Sequence, residues 1–451
     1  MVKYLLYLFI LASFATSCQA SQKVKTFRYP PDQDTVRYIP YRQGDTWFFI
    51  DRQKTGPFAG YAKAWNREWD YLRPFDEYGL SLVGKNKRYG WMNNKGEMIT
   101  PVIYLQDARS FSGGKGYAVM LDTLRQYVII NRGGKIIAPV QKGLEFYGQI
   151  RQGCFVVHNE LEKTWGLMDT TGQWRIPPGM YKSLSPKRST DTSNVYIYGL
   201  HSETTYFKEK YGFIRNDGTL ITDTLFESTG FIAFGVCPVN YKNSTYGLYN
   251  VYTNQMLIDS CNTIYGFYSE ISKIKKKYGQ VGAIDTTGKL VIPMKYSDIA
   301  IEGSEGFYMA ERDNKWGVVS YRTGEETSEF IYDGKTYNCY HWGMFAFTKD
   351  GKGGVVDPYG KVILPFEYDK EDNVPFIESL TPHLLAVRKN GQWMVVNRQN
   401  EIVIPPMPYQ IARQRDKLWH GLIDVTELDE RGRGKRIIGF MDLKGNKYWE
   451  D

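Results

Sequence analysis

The octapeptide "WGLMDTTG" spans Trp165–Gly172, and a near-copy, "VGAIDTTG", spans Val281–Gly288, 116 residues further along. Two copies of an aspartate-bearing string pose a choice between two halves of a carboxylate site and two copies of a structural unit. The rest of the chain decides it. Aligned on the second residue of the string, the same register returns at Phe48, Gly90, Val128, Gly166, Gly212, Gly247, Gly282, Gly317, Gly354, Met394 and Gly439, spaced 35 to 46 residues apart. Eight of the eleven anchors are Gly, Asp or Asn stands three residues later in nine, and Gly stands six later in seven. A pattern that recurs at this period marks a supersecondary brick. Asp169 and Asp285 are therefore expected to build turns and not to pair for catalysis.

Each element of the string has a physical reason. Alternating apolar residues on either side of D-x-x-G make a hairpin. The Asp or Asn at the first turn position accepts hydrogen bonds from backbone N–H groups further on. The Gly at the fourth position takes the left-handed conformation such turns need. The anchor Gly lies inside a strand, where a missing side chain marks close approach of another group, here expected to be an aromatic ring. An apolar triplet often ending in Pro follows ("LVIP", "VILP", "IVIP"), and this Pro is expected to stop the third strand. One more strand precedes each anchor, as in "GFYMAERDNKWGVV" (Gly306–Val319), and "KYSDI" offers a fourth short one.

The expected fold is all-β: a tandem array of about eleven three- to four-stranded antiparallel meanders over residues 44–451. The structural positions are Trp165, Gly166, Asp169, Gly172, Gly282, Asp285, Gly288, Trp316, Gly317, Gly354, Asp357, Gly360, Gly439, Asp442 and Gly445. Eleven units exceed the usual four to eight or so blades of one propeller. An open superhelical, solenoid-like array is expected, with two β-propeller-like domains as the alternative.

Taken together, [K]-[WY]-G-h-h-[DN]-x-x-G-x-h-h-h-P resembles the WG (KWG) β-repeats of bacterial lipoproteins. The N-terminus carries a second resemblance. After Lys3, the apolar run Tyr4–Phe14 is too short to span a bilayer comfortably and reads as a signal peptide. Ala15-Thr16-Ser17-Cys18 resembles a lipobox, which implies a signal peptide over 1–17 and an acylated Cys18. Residues 18–43 then form a tether, polar and Pro-containing. No Asp stands directly after Cys18, and no acidic cluster follows it. By the same resemblance the chain is expected in the bacterial cell envelope, lipid-anchored in the outer membrane and facing the periplasm. The alternative is cleavage after Ala20 and a secreted or periplasmic soluble chain.

Chemistry-bearing motifs are sparse. The five histidines form no paired metal spacing, and neither a G-x-S-x-G elbow nor a P-loop occurs. "KDGKGGVVD" is glycine-rich, but its glycines fall on the repeat register. No cofactor or metal is expected. The net charge of +8 is spread along the chain, which argues against nucleic acid as a partner. Cys154, Cys237, Cys261 and Cys339 match no metal spacing, and Cys154 and Cys237 lie in apolar runs, so buried free thiols are expected. Residues that break the period are better candidates for function than those that keep it. The long insertion before Gly212 supplies Tyr196, Tyr198 and Tyr206 as candidate binding residues. The basic run Lys273–Lys277 and the charged turn Thr426–Arg436 are further candidate tips. The leading expectation is a non-catalytic interaction scaffold binding an envelope protein or glycan. A structural spacer or assembly subunit is the second reading, and an envelope hydrolase using the interrupting loops the third.

Overall fold

The structure, a computed structural model, describes residues 36–450 apart from positions 77, 152, 262 and 340 and the stretches 110–116, 138–142, 186–193, 202–208, 243–244, 276–278, 337–338, 413–420 and 429–433. Among these residues it is all-β. Eleven sheets of three or four strands follow one another in chain order, with one two-stranded ribbon (Lys370–Glu371 with Val374–Pro375) between the ninth and tenth. The fourth unit shows the plan. Leu144–Arg151, Cys154–Asn159, Thr164–Asp169 and Trp174–Tyr181 each run antiparallel to the next. The "KYSDI" segment is shared: Tyr296 ends the seventh sheet and Asp298 begins the eighth.

The turns follow from the string. Asp169 Oδ1 accepts from the N–H of Thr171 at 2.9 Å and of Gln173 at 3.0 Å. Asp285 does the same with Thr287 at 2.9 Å and Lys289 at 3.0 Å. Asp357 and Asp442 repeat the pattern in the ninth and eleventh units. The turn glycines close these loops in the left-handed region, with φ of 85° at both Gly172 and Gly288.

The anchor glycines answer to a β-bulge. Val281 pairs with Tyr296 and Ala283 with Ile292, so three residues, 293–295, bulge out opposite Gly282. A Cβ at Gly282 would lie 2.7 Å from the Ile292 carbonyl oxygen, and one at Gly166 would lie 2.7 Å from that of Ile176. In the eighth, ninth and eleventh units a ring fills this place, Phe330 over Gly317, Phe366 over Gly354 and Trp449 over Gly439. In these three units the ring comes from the segment after the turn, and at Gly212 it is Tyr198 of the neighbouring strand, so the expected aromatic cover comes from within the unit and only in some units. The prolines also need a correction. They do not stop the return strand: Leu290–Tyr296 runs through Pro293, Val362–Tyr368 through Pro365 and Ile402–Met407 through Pro405 and Pro406. Residues in the bulge are out of ladder register, so a missing N–H costs nothing there.

Each sheet is buried on both faces. Along Cys154–Asn159, Cys154 and Val156 pack toward the fifth unit with Tyr196 and Tyr198, while Phe155 and Val157 pack toward the third with Val119 and Ile129. Successive side chains on a strand point to opposite faces. A strand covered on both faces therefore reads as an unbroken apolar run, as "CFVV" does. The return-strand tyrosines bridge to the following unit. Tyr296 donates to Glu326 at 3.3 Å and Tyr368 donates to Asn400, so their hydroxyls are satisfied beside buried rings.

The ends of the array meet. An open superhelix would leave the first and last units each with one uncovered face; here they cover each other. Ile39, Tyr41, Phe48 and Ile50 of the first unit form one core with Leu422, Phe440 and Tyr448 of the eleventh. Arg42 pairs in parallel with Trp449, and Gln43 with Glu450. The Arg42 N–H donates to the Tyr448 carbonyl at 3.3 Å, the Gly44 N–H to that of Glu450 at 3.2 Å, and the Tyr41 hydroxyl to Glu450 at 2.5 Å. Eleven apolar clusters thus join eleven units in a cycle, not in two separate propellers. The same pairing corrects the tether, placed at 18–43 from the sequence: Tyr38–Gln43 is the first strand of the array.

Arg37 pins that strand. Its guanidinium donates to both carboxylate oxygens of Asp51, at 3.0 and 2.9 Å. These bonds, with help from the Gln53 N–H and against the opposing effect of burial, hold the Asp51 carboxyl below its ordinary range. A depressed folded value gives stability that is present above the unfolded pKa, about 3.9, and is lost as pH falls through the folded value. Arg37 is 44% exposed, so solvent and salt screen this contribution. Urea midpoints measured at pH 5, 4 and 3 should fall less steeply in Arg37→Gln than in the wild type. Equal slopes would show that the pair does not couple to folding.

Candidate functional site

The repeat residues singled out in the sequence do not converge. Trp165 pairs across the bulge with Tyr181 and lies 4.7 Å from the His158 ring, within one sheet. Trp316 is buried opposite Tyr332. Asp169, Asp285, Asp357 and Asp442 sit in the turns of four different units, each holding its own backbone. Burial alone would raise the Asp169 carboxyl, but bonds from Thr171 and Gln173 and the charge of Arg175 outweigh it and lower its pKa.

Two of the three candidate binding tyrosines are corrected by the fold. Tyr196 and Tyr198 are each 1% exposed, in the core between the fourth and fifth units. Tyr198 donates to the Thr222 carbonyl at 2.9 Å, and burial pushes its phenol up to about 12. They belong to Val195–His201, the middle strand of an ordinary three-stranded sheet. Tyr206 lies outside the described residues, as does Cys18. Of the basic run, Lys273 is committed to Asp298 at 2.6 Å and lies over the Tyr265 ring.

Cys154, Cys237, Cys261 and Cys339 are free thiols, and all but Cys261 are buried. Burial pushes Cys339 up to about 12 and Cys261 up to about 11, which leaves neither as a thiolate near neutral pH. Among the described residues no group of three or more His, Cys, Asp or Glu could hold a metal ion.

A different set of side chains does converge, at the seam where the eleventh, first and second units meet. A cavity of about 550 Å³ opens there, lined by Arg42, Arg73 and Arg436, by Asp45 and Asp70, and by Trp47, Tyr71 and Phe440 among others. This volume falls within the roughly 300–1,000 Å³ of small-molecule pockets. The strand pair Tyr38–Gln43 and Thr46–Phe58 presents Arg42 and Trp47 on directly paired positions. The segment from Tyr71 presents Arg73, and Gly434–Asp442 presents Arg436 and Phe440.

The cavity is graded from floor to rim. Arg42 is 6% exposed and donates to the carbonyls of Ile438 and Gly44, so it also ties the eleventh unit to the first. Trp47 meets Phe440 edge-on with centroids 5.9 Å apart. Arg73 donates to the Tyr71 hydroxyl. At the rim, Arg436 holds Glu427 at 2.9 Å. Asp70 accepts from the Asn86 N–H at 2.6 Å and faces Lys85 at 3.2 Å; the backbone bond is the main cause of its lowered pKa, with Lys85 adding to it. The sequence hid this site. Arg42 fell in the supposed tether and Arg436 in a charged turn, and no local pattern joins residues nearly 400 positions apart.

No curated protein sequence matches the chain. Among solved structures, a eukaryotic initiation factor is similar over 82% of this chain and 96% of its own, at 10% identity and a TM-score of 0.43. BamB from Moraxella catarrhalis is similar over 64% of this chain and 90% of its own, at 13% identity and 0.30. The computationally designed Ika8 protein gives 64%, 93%, 13% and 0.30. At these values the likenesses carry no functional information about this chain. The family model for the WG containing repeat matches residues 89–122, 165–186, 282–316 and 354–393, and the chain therefore carries WG-type β-repeats.

Proposed function

We propose that the protein is a non-catalytic interaction scaffold of the bacterial cell envelope, acylated at Cys18, that binds a protein partner along the turn-bearing rim of its array. One observation carries the reading. The eighth residue after the anchor is aliphatic and about half exposed in five units: Ile136, Leu220, Leu290, Val362 and Ile402. Each lies opposite the residue two after the anchor, at Ile130, Ile214, Ile284, Val356 and Val396. These are equivalent places, just past the turn that follows the anchor strand. Both sheet faces are used up by neighbouring units, so these edges are what the array presents. Repeat arrays offer such extended surfaces to partners. Aliphatic side chains, bare of hydroxyl and amide groups, suit a protein surface better than a glycan.

The test is crosslinking in intact cells followed by pull-down, comparing the wild type with a Leu220→Asp, Leu290→Asp, Val362→Asp, Ile402→Asp variant. Loss of a reproducible partner, with an unchanged circular dichroism spectrum, supports the reading. A partner retained by the variant removes the rim from the argument. A wild type that captures nothing favours a structural spacer. Cys18→Ala should abolish labelling by palmitate and release the chain from the membrane fraction.

A further inference from the structure

The seam cavity points to a ligand class of its own, independent of the rim. We propose that it binds a small acidic saccharide, whose carboxylate or phosphate is met by Arg73 and Arg436 and whose ring body rests against the half-buried Trp47 and Tyr71. Guanidinium groups recognise both anions through paired N–H donors, and three of them border this one cavity. A bare anion site has no need of the aromatic rings that Trp47 and Tyr71 supply. A purely apolar ligand has no need of the carboxylates. Asp45 and Asp70 at the opening, with the Tyr71 hydroxyl, offer acceptors for the hydroxyls of a sugar. Aromatic faces beside convergent polar groups are the usual makeup of such pockets.

The position adds a consequence. The lining comes from the last, first and second units, so a bound molecule bridges the two ends of the chain. A ligand that binds only the closed ring stabilises it by mass action. Occupancy of this cavity therefore acts as a clasp on the array.

Calorimetric titration of the mature chain tests the proposal with four probes: digalacturonic acid, glucose 6-phosphate, neutral maltose and inorganic phosphate. An acidic sugar is expected to bind, maltose at least tenfold more weakly. The binding should weaken at least tenfold in Arg73→Gln and Arg436→Gln, each checked for fold by circular dichroism, with partial recovery in Arg436→Lys. The bound sugar should raise the melting midpoint of the wild type and leave the midpoints of both Gln variants unmoved. Preference between the first two probes identifies the anion. Equal binding of maltose overturns the role of the arginines. Equal binding of inorganic phosphate and glucose 6-phosphate overturns the saccharide class. Silence from both acidic sugars at millimolar concentration overturns the site. Neither arginine is among the exposed aliphatic positions past the repeat turns, so partner capture should persist in both Gln variants even where sugar binding is lost, which keeps the two proposals separable.

Discussion

Removing residues 447–451 is expected to destabilise the protein by on the order of 5 kcal/mol or more, and to expose a unit at the opposite end of the sequence. Tyr448 is fully buried and Trp449 is 7% exposed. Losing one large buried aromatic side chain costs about 3–5 kcal/mol. Tyr448 lies in the core shared with Ile39, Tyr41, Phe48 and Ile50, and Trp449 in the core between the tenth and eleventh units. The truncation also removes the acceptors of the Arg42 and Gly44 N–H groups and of the Tyr41 hydroxyl. In an array whose stability is a sum of neighbour interfaces, opening one interface frays the units on both sides of it. Urea unfolding measures the loss, and limited proteolysis with N-terminal sequencing locates it. Cleavage should appear within Tyr38–Phe58, a strand pair hundreds of residues from the deletion. Cleavage confined to the eleventh unit would mean that closure contributes nothing to the first.

The second large effect is expected at an anchor glycine. In Gly282→Val the new Cβ meets the Ile292 carbonyl oxygen and the Met294 sulfur, each 2.7 Å from its place. The carbonyl is backbone within the bulge and cannot swing aside, so the return strand must shift. Overpacking of this kind costs roughly 1–3 kcal/mol, and a β-branched side chain falls at the upper end. Gly133→Ala is the contrast. It lies in an exposed turn, and its Cβ would approach only the Asn131 side-chain oxygen, at 3.4 Å. That substitution should change stability by less than about 0.5 kcal/mol. Chemical denaturation of the two variants settles it: similar midpoints would show that the bulge, and not the glycine, adapts.

These two predictions rest on different kinds of information. The anchor glycine was visible in the sequence because its cause is local. Gly282 and the carbonyl that presses on it lie ten residues apart in one unit, and the same crowding recurs at Gly90 and Gly166. The turn aspartates were legible for the same reason, since Asp169 and Asp285 bind backbone only two and four residues away. What misled was the reading of irregularity as function. The interval before Gly212 is long, yet its described tyrosines, Tyr196 and Tyr198, alternate with Val195 and Ile197 across two cores. A tyrosine buried with its hydroxyl bonded is indistinguishable in sequence from one that greets a ligand.

The sequence by itself determined the brick: its turn, its glycine and its strand order. Hydrogen bonds and steric contacts spanning a few residues set these, and repetition made them readable. Only the tertiary structure decided how the array ends. The Tyr41–Glu450 and Arg42–Ile438 contacts join residues 409 and 396 positions apart. Whether the last unit reaches the first depends on the small rotation between neighbours accumulated over eleven interfaces, a quantity written in no single repeat. The seam cavity exists only because that sum brings the ends together, and Arg42, Arg73 and Arg436 border one space for the same reason.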